Sequence, residues 1–182
     1  MKKIIVVLCI LLLMLSSVLV GVTYASLASK TPSVVNTFVV GNVSLSLTES
    51  TGSNYLLIPG TTVKKDPRVM VGKNSEKCWL FFKIESDEEL EKLVTYSIAD
   101  GWTALEGVEG VYWRQVEETP EDKYYSIIKD DKITVKDTVT EEQLAVFGND
   151  PKMIFYAYAI QFEGISAPET AWENLQTEED EA

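Results

Sequence analysis

The chain contains no histidine, which removes the usual general base, the Ser-His and Cys-His nucleophile pairs and every imidazole metal ligand. Cysteine is almost as scarce. Cys9 lies in an apolar N-terminal run and Cys78 stands alone in the rest of the chain. Thiolate zinc and iron–sulfur sites are therefore excluded, and no internal disulfide can form once the N-terminal run is removed. A phosphate-cradling loop is also missing, because the glycines at 101, 107 and 110 are scattered among acids with no lysine behind them. Positive charge is short as well: 16 Lys and Arg face 28 Asp and Glu, a net charge of −12. Such a surface repels nucleic acid and anionic membrane and keeps the protein soluble.

Carboxylates remain, in runs at residues 85–89, 117–122 and 130–131. Oxygen ligands for calcium or a glycosidase pair would come from such residues. None of the runs has the spacing and central glycine of a calcium loop, and all read as solvated loop acids. The sequence therefore assigns no catalytic residue, no metal ligand and no cofactor.

The N-terminus carries a long apolar segment. Lys2 and Lys3 precede residues 4–20, which are apolar except for Ser16 and Ser17, and small residues follow at Gly21, Thr23, Ala25, Ser26 and Ala28. This is the pattern of a signal peptide over 1–25, cut after Ala25 or alternatively after Ala28. Uncut, a run of this length would also reach across a bilayer and anchor the chain. Cleavage removes Lys2 and Lys3 and no acid, taking the net charge from −12 to −14.

The next ten residues, Ser26, Leu27, Ala28, Ser29, Lys30, Thr31, Pro32, Ser33, Val34 and Val35, are mostly polar and read as a flexible arm over 26–35. A single domain is expected over 36–176, and an acidic disordered tail over 177–182. Alternating patterns mark strands near 36–48, 93–98 and 111–116, with turns at Pro59-Gly60 and Asp66-Pro67. Residues 78–84 and 153–162 are apolar on both faces, as expected of central strands. Thr140 with Gln143 and Ser166 with Glu169 match the capping box, which predicts one short helix to about residue 147 and another over 167–175. Cys78, among Trp79, Leu80, Phe81 and Phe82, reads as a buried structural thiol. The class is mainly β, an antiparallel β-sandwich with one or two short helices.

The ordered set of Thr23-Tyr24-Ala25, Asn36-Thr37-Phe38, Val40-Gly41-Asn42, Pro59-Gly60, Asp66-Pro67, Cys78-Trp79, Gly101-Trp102, Tyr158-Ala159-Ile160-Gln161 and Ala171-Trp172 spans nearly the whole chain. It resembles the TasA and camelysin family of exported proteins of Gram-positive bacteria. The resemblance implies a jelly-roll-like, Ig-like β-sandwich and removal of the signal by a SipW-type signal peptidase. It also implies a location at the cell surface or in the biofilm matrix, outside the cell. Fibre-forming members join copies, or other matrix proteins, when the N-terminal arm of one adds a strand to the sheet of the next, a β-augmentation.

Two other readings stay open. Camelysin is described as a metalloendopeptidase, although this chain has no HExxH motif. A monomeric surface adhesion module could use Trp102, Tyr112 and Trp113, which flank glycine-rich turns.

Overall fold

The structure, a computed structural model, describes residues 28–30, 35–51, 54–145 and 152–181. In chain order the strands are β1 (Ala28–Lys30), β2 (Val35–Val40), β3 (Leu45–Thr48), β4 (Asn54–Leu56), β5 (Thr62–Lys64), β6 (Arg68–Val71), β7 (Cys78–Ser86), β8 (Val94–Thr95), β9 (Thr103–Ala104), β10 (Val111–Val116), β11 (Lys123–Ser126), β12 (Lys132–Val135) and β13 (Met153–Gln161). The helices are α1 (Glu88–Leu93), α2 (Glu141–Ala145) and α3 (Pro168–Glu181). The fold is mainly β, in the manner of a sandwich.

One layer is a five-stranded sheet in the order β2-β13-β7-β10-β9. Opposite it lie two three-stranded sheets, β11-β6-β3 and β5-β12-β8. Strand alternation divides the core. On β7, Cys78, Leu80, Phe82 and Ile84 face the small sheets and join Val69 and Val71 of β6, Ile133 and Val135 of β12, and Phe155, Ala157 and Ala159 of β13. The opposite face of the same strand, Trp79 and Phe81, packs with Tyr158, Ile160 and the α3 residues Ala171, Trp172 and Leu175. Both faces of β7 and β13 are thus covered, which is why neither strand needs a polar side.

The helix ends follow local chemistry. The Thr140 amide donates to Gln143 Oε1 at 2.9 Å and the Gln143 amide donates to Thr140 Oγ1 at 3.3 Å, a complete capping box at the start of α2. Pro168 opens α3, where its fixed φ suits the first turn and its missing N–H costs nothing.

Several boundaries differ from the sequence reading. Residues 88–93 form a helix where loop acids were expected, because Leu90 and Leu93 fall three apart and are buried on one face. Glu88, Glu89 and Glu91 sit in its first turn, where the helix dipole favours negative charge. The strand expected over 93–98 shrinks to β8. Residues 177–181, expected to be disordered, continue α3, since three of them are Glu, a good helix former, and need only extend an existing helix. Three residues of the expected flexible arm, Ala28, Ser29 and Lys30, form β1 and pair antiparallel with β4, and Val35 already belongs to β2.

Candidate functional site

The candidate site is a strand edge. β2 is the outermost strand of the five-stranded sheet and pairs with β13 from Val35↔Phe155 to Ile160↔Val40. That pairing is parallel, while every other pairing of named strands among the described residues is antiparallel. β2 is held from one side by β13 and from one face by α3. Val40 packs on the Trp79 and Trp172 cluster, whereas Thr37 is exposed and Val39 is 36% exposed. An edge of this kind offers a row of backbone N–H and C=O groups.

The chain leaves β2 through a fastened turn. Gly41 has φ +95, and a Cβ built there would lie 2.8 Å from Gln161 Cβ, so only glycine fits. Gln161 Nε2 donates to the Glu76 carboxylate, and the same carboxylate accepts from Asn42 Nδ2 at 3.4 Å. The Glu76 amide in turn donates to the Asn42 carbonyl at 3.2 Å. Gly41 and Gln161, named separately in the sequence, therefore meet at one point.

A second knot ties the chain after β3. Asp66 is buried and accepts from the amides of Ser50 and Thr51 at 3.0 and 3.1 Å and from both of their hydroxyls. Burial alone would raise its pKa, but these hydrogen bonds outweigh it and hold the carboxyl down at about 2. Beside it Lys65 pairs with Glu49 at 2.7 Å, and its ammonium lies 5.2 Å from the centroid of Phe155. Pro59 and Gly60 occupy the centre of a turn closed by the Thr61 amide on the Ile58 carbonyl at 3.1 Å, with Gly60 at φ +75 as a type II turn requires.

The remaining sequence-selected residues are spread through the core and the edge. Asn36 and Phe38 lie in β2 opposite Tyr156 and Tyr158. Pro67 leads into β6, and its carbonyl accepts from the Ile127 amide at 3.0 Å. Cys78 is buried, and burial pushes its thiol up to about 12. Trp172 packs against Phe81 and edge-on to Tyr158, with centroids at 5.4 and 4.9 Å. Ala25, Ser26, Leu27, Thr31, Pro32, Ser33 and Val34, and with them the signal and most of the donor arm, lie outside the described residues.

The aromatic trio does not form one platform. Trp102 and Tyr112 both pack on Phe82, at 4.6 and 4.9 Å, while Trp113 turns to the other face of the sheet and meets Trp79 at 5.3 Å. Among the described residues no three Cys, Asp or Glu side chains are grouped to hold a metal ion, and no helix is long and apolar enough to cross a membrane. Sequence reasoning missed the buried Lys65–Glu49 pair and the inward-facing Arg114. The second had a visible signal, since Arg114 shares the period-two face of Tyr112 and Val116. Comparison with protein-family models, with curated proteins and with solved structures returns no match.

Proposed function

We propose that this protein is an exported structural protein of the cell surface or biofilm matrix, a fibre subunit that assembles by N-terminal strand donation. The observation that carries this reading is β2. It is a parallel strand near the N-terminus, held at the sheet margin by β13 and lying behind an arm without acids. A strand so placed can be supplied by a second copy with the same hydrogen bonds, at the cost of one hinge at Gly41. A SipW-type peptidase cutting after Ala25 would release the arm from the signal, leaving the β1–β4 pairing to be exchanged, and the partner is another copy of the chain or another matrix protein. The absence of histidine and the solvent-facing acids favour this structural role over hydrolysis.

The test compares protein that begins at Ser26 with protein that begins at Gly41, by electron microscopy and size exclusion. Fibres or oligomers are expected from the longer chain. The shorter chain should remain unassembled and accept a peptide of residues 26–40 in trans. Monomers from the longer chain under all conditions, or equal assembly of both, would end the strand-donation reading.

A further inference from the structure

Among the described residues two half-buried cations of this acidic protein, Lys136 and Arg114, have no carboxylate within salt-bridge distance. Lys64, Lys65, Arg68, Lys77, Lys83, Lys92 and Lys129 each have a carboxylate within salt-bridge distance. Lys73, Lys123, Lys132 and Lys152 have none, but all are exposed to water. Lys136 is half-buried without an acid but donates to the carbonyls of Glu91 and Lys92 at 3.5 and 2.5 Å. Arg114 is likewise half-buried without an acid, and its buried Nε has no hydrogen-bond partner.

The guanidinium is nonetheless held firmly. Its Cζ lies 4.3 Å from the ring centroid of Tyr125 on β11 and 5.2 Å from that of Trp102. Trp102 is fixed in turn by its indole N–H on the Ser126 carbonyl at 2.8 Å and by edge contact with Phe82. Gly101 closes over the tip, since a Cβ there would lie 3.0 Å from Arg114 Nη2. Burial lowers the Arg114 pKa from its ordinary value, the direction expected of a cation enclosed without its anion.

This clamp opens on the flank where the two layers of the sandwich end. β11 is the outer strand of its sheet, and β9 covers β10 only as far as Trp113. On β11, Lys123 shares the face of Tyr125 and is exposed, while Tyr124 points to the other face. An arginine held between aromatic rings has the composition of an interface hot spot, and its donors form a fork that matches a carboxylate.

We propose that this flank is a docking site for an acidic segment of a partner protein, with one carboxylate anchored on Arg114 and a second attracted by Lys123. Charge complementarity selects the occupant. The chain's own arm carries Lys30 and no acid, so the site is separate from the strand-donation edge and stands whether or not that reading holds.

The test follows the Arg114 Nε–H and the Tyr124 and Gln115 amides by NMR in the full chain. The probe is a blocked hexapeptide alternating glutamate with valine, with its glutamine analogue as control. The glutamate peptide should shift all three signals saturably and bind at least roughly tenfold more tightly than the analogue, a preference that R114Q abolishes while the β7 amides stay unmoved. Equal binding of the two peptides, or unchanged binding to R114Q, overturns the proposal. So does the pattern in which sodium acetate moves the Arg114 signal but neither peptide binds. No binding to the native chain together with aggregation of R114Q also rejects it, because Arg114 would then serve to keep the edge from pairing.

Discussion

Lys65 and Glu49 form an ion pair with an N–O separation of 2.7 Å in which the side chains are 4% and 5% exposed. Both charges have been taken out of water to join the segment after β3 to the link between β5 and β6. Removing one partner leaves the other charge buried and alone. Glu49→Gln or Lys65→Met should cost about 3–5 kcal/mol in urea denaturation, and the double change Glu49→Leu with Lys65→Met should cost much less. Equal losses in all three would show that the pair contributes through packing alone.

Asp66 gives the neighbouring segment an acid limit. Its folded pKa of about 2 lies below the ordinary value of 3.8, so the unfolded chain takes up the proton first as pH falls. The stabilisation is fully present above about pH 5 and is lost as the pH falls through 2, for a total of about 2 kcal/mol. Melting temperatures of native protein and Asp66→Asn should converge between pH 4 and pH 2, with the variant the less stable at neutral pH. Parallel curves would remove Asp66 from the account.

Gly41→Ala combines a positive φ with a 2.8 Å approach to Gln161. A loss of roughly 1–3 kcal/mol is expected, with the strained turn loosening β2 from β13. Hydrogen exchange at the β2 amides reads this directly: faster exchange there, with β7 protected as before, is the expected pattern.

Cys78 should behave as an inert thiol. With its pKa raised to about 12 by burial, it carries almost no thiolate at neutral pH and no solvent path to a reagent. A thiol-specific dye should leave the native protein unlabelled for hours and label it promptly in denaturant. Fast native labelling would mean that this end of β7 opens.

The legible parts of the fold were those written in neighbouring residues. The two-sided apolar runs marked β7 and β13 as central, and the reciprocal pair Thr140 and Gln143 marked the start of α2. α1 was hidden because Glu88, Glu89 and Glu91 look like a loop when Leu90 and Leu93 are not read together. Its leading Asp87 also makes no side-chain cap, since that carboxylate accepts from the Lys152 amide at 2.7 Å instead. The site was less legible than the fold. Gly41 gives no hint of Gln161, nor Arg114 of Tyr125, because both meetings depend on which strands become neighbours, and local pattern does not encode strand order.

The pairing of β2 with β13 also sets a timetable. Val35 meets Phe155, and Val40 meets Ile160. The partner of Val35 lies 120 residues further along the chain, while the β7–β10 ladder needs only residues 78–116. Contacts so far apart in sequence form late, after loop closure has been overcome. The five-stranded sheet is therefore completed last at the margin that β2 occupies, and a folding chain carries an unmatched strand until β13 is in place.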